Sequence, residues 1–402
     1  MKRGIAAVCL AVVLTTPLRA ASGVGPAPLP PPYAGAYQPQ GVDEIGLWRE
    51  DDDSERSLAA SPILIRDEAL TAYVKAALCT AVGADRCNAT RVYIVREPSF
   101  NATMSPNGTM RVFSGLLLRA RSEAELAYIL GHEFGHFEHR HTLTQYRARR
   151  TGSDVLSWAT VLASMANSRA AYRGFRDLEF SVYGSLMRFG RDDEREADRA
   201  GIGYLNASTL RPQAAARIWH NLMAESEASA KARGLKKPRF DRIVYYASHP
   251  PEAERAASLG ALAVAAGDTR DDGAARYKAA LAKWLPVFLD DQIKLNDLGG
   301  SEYLIGILAQ DGWTAPLWQA RGELFRARGT LRDLVNAARF YANAIALDPM
   351  LAEAHRGLGL ALVKTGRAVE GRVALERYLE LAPAATDAAM IAMTIRAVGG
   401  HR

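Results

Sequence analysis

The chain has 402 residues, of which 49% are hydrophobic and 23% are charged, and its mean hydropathy is -0.11. This length accommodates two or three domains, and the composition excludes both a disordered tail and a polytopic membrane protein. The formal net charge is +6. Removal of a leader peptide containing Lys2, Arg3 and Arg19 would lower it to about +3, which is too little to predict binding to nucleic acid.

The first twenty residues have the pattern of a secretory signal peptide. Two basic residues precede an apolar run at 5–14, and a short segment follows up to Ala20 and Ala21. The run is about half of the roughly 20 apolar residues that a membrane-spanning helix needs. We therefore expect residues 1–20 to direct export to the periplasm, with cleavage near Ala20 or Ala21.

Residues 21–60 are predicted to be a proline-rich linker or arm rather than a domain. Residues 25–40 consist mainly of proline, alanine, glycine and tyrosine, and an acidic run follows at 50–53. A composition of this kind favours an extended chain. We expect regular structure to begin near Ser61.

Two cysteines remain once Cys9 is removed with the leader. Cys79 and Cys87 are separated by a segment in which Gly83 can supply a turn. An even number of cysteines in an exported chain predicts a disulfide between them. The alternative is a pair of free thiols. The spacing is not that of a Cys-x-x-Cys metal or redox motif.

Strand signals precede the central helix of the chain. Alternating polarity predicts a strand at 91–95, and two further strands, 100–104 and 110–113, flank a tight turn. Ser122 and Glu125 form a capping-box pattern that predicts the start of the next helix. The strand at 110–113 either pairs with an extended substrate or belongs only to the core of the sheet.

The last third of the chain carries an internal repeat. The related sequences 346–349 and 380–383 lie 34 positions apart, which is the period of tetratricopeptide (TPR) repeats. Gly322 and Gly359 lie 37 positions apart, which agrees if the first unit has a short insertion between its helices. We therefore predict an all-α TPR-like domain at 274–397, with an unrelated helical bundle as the alternative.

The central motif of the chain is His-Glu-x-x-His, formed by His132, Glu133 and His136. Residues four apart share one face of a helix, so both imidazoles can reach one metal ion while Glu133 faces the water beside it. The alternative is an exposed histidine pair on a solvated helix. His139 and His141 are poorly aligned with the ligand face, and we expect them either behind the ligands or in solvent.

A second helical segment supplies a third ligand. Glu194 and Asp198 again share one helix face, so Glu194 can complete a His₂Glu zinc site while Asp198 orients a ligand imidazole through its second nitrogen. Glu196 is expected to point elsewhere. The alternative is an acidic solvated helix paired with arginines, which suits Glu196 and Asp193 better than Glu194 and Asp198.

These patterns together resemble the CAAX prenyl protease-type zinc metalloendopeptidases, which include HtpX-like, Oma-like and BepA-like proteins. The resemblance implies an α+β fold, a mainly helical zincin domain of the gluzincin type with a small sheet, which we place at 61–265. The matching stretches, in the family's order and spacing, are Asn101 with 115–117, 124–136, 194–199 and 248–255.

The same resemblance assigns roles to the site residues and implies one Zn²⁺ ion per chain. The zinc ligands would be His132, His136 and Glu194, with Glu133 as the general base and Asp198 as the partner of a ligand imidazole. Peptide hydrolysis would then need no covalent intermediate.

The resemblance also bears on His249 and Arg255, which it places over the metal. Both residues are suited to stabilising the oxyanion of a tetrahedral intermediate, and we count both as catalytic. In the BepA-like branch the histidine can instead occupy the fourth zinc position as an inhibitory ligand, and the two roles stay open. Without the resemblance, a histidine beside Pro250 and Pro251 would be a surface residue.

An apolar segment lies between the two metal-binding motifs. Residues 155–166 are too few to span a bilayer. We expect this segment to pack in the core, with a hairpin that faces a membrane or covers the substrate as the alternative. The apolar residues that follow it are Phe175, Phe180, Val182, Tyr183, Leu186, Met187 and Phe189.

The export signal and the repeats make the periplasmic BepA-like branch the best match. By resemblance, the protein is a zinc endopeptidase that hydrolyses misfolded or misassembled envelope proteins. Its TPR repeats would dock envelope or outer-membrane assembly proteins, and no nucleic-acid partner is expected. The alternative is a periplasmic chaperone or assembly scaffold with a latent protease site.

Overall fold

The computed structural model of the protein describes residues 31–34, 37–166, 169–242 and 250–399. The predicted signal peptide with its cleavage site lies outside these residues, and so does His249. The described part is mostly helical and has one small sheet, which agrees with the predicted α+β class.

The sheet is formed by three strands close to the positions that the sequence predicts. The strands are β1 (Arg91–Val95), β2 (Ala102–Met104) and β3 (Thr109–Phe113). The helices up to the end of the second metal-binding motif are α1 (Gly41–Ala59), α2 (Glu68–Val82), α3 (Ala84–Cys87), α4 (Ser114–Arg119), α5 (Glu123–Glu138), α6 (His141–Ala166) and α7 (Arg169–Ala207). The later helices are α8 (Ala214–Ala232), α9 (Glu252–Leu262), α10 (Ala274–Leu281), α11 (Leu285–Lys294), α12 (Leu298–Leu308), α13 (Ala315–Arg328), α14 (Leu331–Leu347), α15 (Ala352–Lys364), α16 (Ala368–Leu381) and α17 (Ala388–Gly399).

The strand order is β1-β3-β2, with β3 parallel to β1 and antiparallel to β2. Both edges of β3 are therefore hydrogen-bonded within the sheet. The prediction that a substrate pairs with 110–113 is wrong, because this strand has no free edge, and it belongs to the sheet core instead. The edge strands are β1, which meets Leu64 in an isolated bridge, and β2.

The two faces of the sheet differ in polarity. Ile94, Met110 and Val112 are fully buried on the face that packs against the helical core. The opposite face carries most of the polar side chains of these strands, including Arg91 and Arg111. This alternation is typical of a sheet with one apolar face.

Helix α1 covers the polar face. Arg91 donates to both carboxylate oxygens of Glu55 at 2.6 Å, and Arg111 donates to the Ser54 hydroxyl at 2.6 Å. The hydrogen bonds from Arg91 lower the pKa of Glu55 to about 2. The prediction that regular structure begins only near Ser61 is therefore wrong, since the acidic segment pairs with the sheet as a helix.

The disulfide between Cys79 and Cys87 is present, with an S–S distance of 2.01 Å. It joins the end of α2 to α3 across Gly83. The φ angle of Gly83 is 91°, a conformation that favours glycine. The pairing agrees with the prediction from the cysteine count.

One hydrophobic core continues from the predicted peptidase domain into the helices after it. A single cluster of buried side chains runs from Ile65 to Leu324 and includes Tyr277 and Phe288 of α10 and α11. The Tyr277 hydroxyl donates to the carbonyl of Leu117 at 2.6 Å. The core thus has no break where the sequence places the domain boundary, and the domain limits stay a prediction.

Two helical hairpins follow, α13 with α14 and α15 with α16, and smaller buried clusters hold them together. A Cβ atom on Gly322 would lie 2.5 Å from Cε1 of Tyr341, and one on Gly357 would lie 2.3 Å from the same atom. Glycine is therefore required where these helices pack on the tyrosine ring. The hairpins match the predicted helix-turn-helix pattern, and their assignment to TPR repeats stays a prediction.

The segment between the metal-binding motifs forms a helical hairpin of α6 and α7. The prediction of core packing is wrong for the outer face of α6, where Trp158 is 71% and Met165 is 78% exposed and Val155 is also exposed. The side chains of Phe180 and Tyr183 lie outside the described part of the chain. Of the helices described, none is both long and apolar enough to cross a membrane.

Candidate metal centre

Helices α5 and α7 cross closely because both carry glycine at the crossing. A Cβ atom on Gly135 would lie 2.9 Å from Cβ of Ala200, and one on Gly201 would lie 3.0 Å from the backbone nitrogen of His132. Side chains do not tolerate such short contacts. The glycines therefore bring the ligand-bearing faces of the two helices within reach of one ion.

The start of α5 is fixed by the predicted cap. The Ser122 hydroxyl accepts a hydrogen bond from the backbone N–H of Glu125 at 3.2 Å. The Glu125 carboxylate accepts in turn from the backbone N–H of Arg121 at 2.8 Å, rather than from the cap residue itself. Glu125 is fully buried and pairs with Arg217 of α8 at 2.6 Å, so the first turn of the metal-binding helix is anchored in the core.

The structure brings the three predicted ligands together. The Nε2 atoms of His132 and His136 lie 3.2 Å apart. The two carboxylate oxygens of Glu194 lie 3.5 Å from Nε2 of His132 and 3.6 Å from Nε2 of His136. The three ligand atoms are all within 4.8 Å of one another. Glu133 follows His132 on α5 at a half-buried position.

This donor set can hold a metal ion and fits zinc. Zn²⁺ is bound in proteins by imidazole nitrogen and carboxylate oxygen, and sites with three protein ligands leave a position for water. His132 and Glu194 are buried and His136 is half-buried. The three ligands are therefore largely shielded from solvent.

Asp198 contacts the second ring nitrogen of His132, and its role in orienting that ring stays a prediction. Its Oδ1 atom lies 3.0 Å from Nδ1 of His132 and accepts a hydrogen bond from the Tyr128 hydroxyl at 2.7 Å. The Arg255 guanidinium donates to both oxygens of Asp198, at 2.5 and 2.9 Å. The imidazole of His132 is therefore held between the ligand position and a buried carboxylate.

These contacts shift the protonation of the site. Burial alone would raise the pKa of Asp198, but the hydrogen bond from His132 and the charge of Arg255 outweigh burial and hold that pKa well below its ordinary value. Burial alone would lower the pKa of His132, but its hydrogen bonds to Asp198 and Glu194 raise it to about 9. Burial and the nearby His132 lower the pKa of His136 to about 3. A metal that binds at neutral pH must therefore displace a proton from His132.

Arg255 is buried beneath the ligands. Its guanidinium carbon lies 3.8 Å from the centroid of the Trp219 ring, and one guanidinium nitrogen lies 3.5 Å from Glu194. The side chain thus sits beside the metal ligands, and its predicted role toward an oxyanion stays a prediction. The other residue of this pair, His249, is not among the described residues.

His141 and Glu196 form a layer behind His136. The sequence predicts His141 either behind the ligands or in solvent, and its Nδ1 atom lies 2.9 Å from Nδ1 of His136. Glu196 points away from the ligand position, as predicted, and contacts Nε2 of His141 at 3.2 Å. Helical periodicity misses this contact because α5 ends at Glu138 and the chain turns at Arg140, whose φ angle is 57°.

A groove lies between α6 and α7. Its volume is about 720 Å³, and the predicted ligand Glu194 is part of its lining. Its walls combine polar and apolar side chains, and the apolar ones include Leu156, Val182, Leu186 and Met187. The groove is therefore a route by which an apolar side chain could approach the metal centre.

The sequence model of peptidase family M48 matches residues 65–263. This segment is an M48 domain. It contains both metal-binding motifs and Arg255, so the predicted resemblance is confirmed at the level of the family and the domain is of the metallopeptidase class.

Proteins similar to part of this chain include two kinds of protease. The mitochondrial metalloendopeptidase OMA1 of Schizosaccharomyces pombe is 25% identical over 164 residues, which are 41% of this chain and 44% of that protein. The beta-barrel assembly-enhancing protease of Yersinia pestis is 30% identical over 184 residues, which are 44% of this chain and 37% of that protein. The chain therefore matches less than half of the length of either relative.

Proposed function

We propose that this protein is a zinc-dependent endopeptidase of the periplasm that hydrolyses peptide bonds of misfolded or misassembled envelope proteins. The observation that carries the proposal is the convergence of His132, His136 and Glu194 on one point beside Glu133, within an M48 domain. The similarity to a metalloendopeptidase and to an assembly-enhancing protease supports the same activity.

The three ligands hold one zinc ion per chain, and the residues around them share the catalytic work. When bound, zinc polarises the scissile carbonyl and makes a nearby water molecule more acidic. Glu133 accepts a proton from that water and passes it to the departing amine. Asp198 accepts a hydrogen bond from the Nδ1–H group of His132 and so keeps Nε2 directed at the ligand position.

Two surfaces suit an unfolded substrate. β2 packs beside α5 and is an edge strand of the sheet, so we assign its outer edge to the backbone of an extended peptide. We assign the groove between α6 and α7 to an apolar side chain near the scissile bond. Recognition of backbone and of one apolar side chain gives loose specificity, which suits substrates that have failed to fold.

The hairpins of α13 to α16 serve as the docking domain in this proposal. They correspond to the repeats of the sequence, and TPR-like stacks present extended surfaces to protein partners. The Yersinia relative is named for beta-barrel assembly, and we propose outer-membrane assembly proteins as the partners. The exposed apolar face of α6 is the place for any peripheral contact with a membrane.

The test of zinc-dependent hydrolysis uses the mature chain purified with its metal. We expect casein cleavage to stop on treatment with a chelator and to return on addition of one equivalent of zinc. Cleavage that survives complete removal of metal would contradict the proposal. Zinc binding without any cleavage of casein or peptides would favour the scaffold with a latent site.

A further inference from the structure

A cluster of side chains behind His136 has no part in the function proposed so far. Nδ1 of His141 faces Nδ1 of His136 at 2.9 Å. The other ring nitrogen of His141 lies 3.2 Å from an oxygen of Glu196 and 3.8 Å from an oxygen of Asp193. His141 is 4% and Asp193 is 6% exposed, whereas the side chain of Glu196 is 46% exposed, so the inner part of the cluster is shielded from water.

The turn between α5 and α6 builds this contact. Arg140 has a positive φ angle of 57°, which non-glycine residues adopt rarely. Its guanidinium donates to the Tyr37 hydroxyl and to the Glu44 carboxylate, both at 2.5 Å. The N-terminal segment therefore holds Arg140 in the conformation that turns His141 back onto His136.

The direction of the hydrogen bonds follows from the ligand geometry. The Nε2 atoms of His132 and His136 both face Glu194, so a metal binds each histidine through Nε2. A neutral imidazole with Nε2 on a metal carries its proton on Nδ1. His136 must then donate to His141 and His141 must accept on Nδ1. The proton of His141 is left on Nε2, which can donate a hydrogen bond to Glu196 at 3.2 Å, with the Asp193 carboxylate 3.8 Å away.

We propose that His141 is a positioning residue that fixes the ring orientation and the tautomer of the zinc ligand His136, and that Glu196 in turn fixes the tautomer of His141. This inference rests on the proposed function only in taking His136 as a zinc ligand. The two histidine ligands are thus oriented by different chemistry. Asp198 provides a carboxylate to His132, and His141 provides a neutral imidazole to His136.

A second cation held by His141, Asp193 and Glu196 is the competing interpretation, since these three side chains also converge. A cation on Nε2 of His141 would leave the proton of that ring on Nδ1. That proton would face the Nδ1 proton of zinc-bound His136 across a nitrogen–nitrogen distance of 2.9 Å. Occupation of both sites would therefore place two N–H protons against each other. When zinc is bound to His132, His136 and Glu194, the hydrogen-bonded arrangement is favoured over a second cation.

Zinc affinity of the full chain, measured by competition with a chromogenic chelator, tests the role of His141. The side-chain oxygen of asparagine takes the place of Nδ1 of histidine, whereas glutamine places a polar atom near Nε2. We expect His141→Ala and His141→Gln to weaken zinc binding by about 10–100-fold, as for other partners of metal ligands. His141→Asn should stay close to the wild-type affinity. Equal affinity in all four proteins would overturn the proposal.

His139→Ala is the matched control, because His139 contacts Glu196 at 3.3 Å and has no hydrogen bond to His136 among the described contacts. We expect this variant to bind zinc like the wild type. The wild-type protein also gives a test without substitution, by ¹⁵N NMR of its histidine rings. The zinc-loaded spectrum should show a proton on Nδ1 of His136 and on Nε2 of His141.

Two further results would contradict the role of His141. One is ligation of zinc through Nδ1 of His136. The other is a second zinc ion in the wild-type protein that is lost in Glu196→Gln, which would show the competing cation site. A wild-type chain that binds no zinc would instead refute the proposed function. The affinity assay contains no substrate, so it separates these failures from a loss of cleavage.

Discussion

His249 has two proposed roles, inhibitory zinc ligand and oxyanion stabiliser, and substitution of this residue would change activity in opposite directions under the two roles. A neutral imidazole in the fourth zinc position excludes the catalytic water, so the resting enzyme would be held inactive until substrate or a partner moved the histidine. An imidazole that stabilises the oxyanion would have the reverse effect on the rate. Activity measurements on single variants therefore distinguish the two.

We expect His249→Ala to raise cleavage of an unstructured peptide while zinc stays bound, because we favour the inhibitory ligand for the resting state. The measurement is the cleavage rate together with zinc content. A sharp fall in rate, matched by Arg255→Lys, would assign the histidine to the transition state. Arg255→Lys is preferred to alanine because Arg255 also neutralises buried Asp198. An unchanged rate and unchanged zinc content would show that His249 has neither role and is a surface histidine.

The ligand geometry could be predicted from sequence because residues four apart on a helix have a fixed relation in space. His132 and His136 on α5 obey that rule, and so do Glu194 and Asp198 on α7. The contact of His141 with His136 could not be predicted, since it depends on the left-handed turn at Arg140. That turn is stabilised by Glu44, which is distant in sequence.

Helix α1 shows how tertiary contacts override local composition. Its acidic residues gave no apolar stripe from which a helix could be predicted, and its stability comes from contacts with the sheet. The strands were predictable because alternation is a local signal. The order of the strands was not, since β3 lies between β1 and β2 through a crossover that no short segment encodes.

The raised pKa of Asp51 in α1 predicts that the free energy of unfolding depends on pH. Burial raises its pKa to about 6, against a hydrogen bond from Ser105 and the charge of Arg111, and the charges of Glu50 and Asp52 add to the rise. An acid whose pKa is raised by folding destabilises the folded state when it ionises. The stabilising effect of protonation is thus complete below the unfolded pKa and is lost as the pH rises through about 6.

We expect Asp51→Asn to raise the melting temperature above that of the wild type at about pH 8 and to match it near pH 3. Melting curves by circular dichroism at both pH values provide the measurement. Asp53→Asn is the control, because Asp53 is exposed on the same helix and pairs with Arg56. A gain in Asp51→Asn that is equal at both pH values would rule out ionisation as its cause.

At the scale of the whole molecule, the core connects the M48 domain to the helices that follow. Buried residues of α10 to α13 belong to the same cluster as those of α5. Arg119 of α4 pairs with Glu225 of α8 at 2.7 Å and donates to Gln292 of α11 at 2.7 Å. Both partners are buried, so removal of α11 would leave polar groups without partners in the interior.

These contacts predict different results for two truncations. Deletion of 330–402 should preserve zinc binding and peptide cleavage while impairing action on a folded partner. The deleted helices belong to the smaller buried clusters, so the main core up to Leu324 stays complete. Deletion of 274–402 should abolish folding of the domain. Zinc content, peptide cleavage and a melting curve measure both outcomes. A stable, active chain ending before α10 would show that the boundary predicted from sequence is correct.

The most direct test of hydrolysis at this metal centre is the casein cleavage rate of Glu133→Gln, measured together with its zinc content. An amide cannot accept the proton, so the rate should fall by roughly two to four orders of magnitude. Zinc should remain at about one ion per chain, since the three ligands are intact. Glu194→Ala should lose both zinc and cleavage, and Asp192→Asn, at an exposed position of the same helix, should lose neither. Undiminished cleavage by zinc-loaded Glu133→Gln would contradict the assigned role of Glu133 and the mechanism built on it.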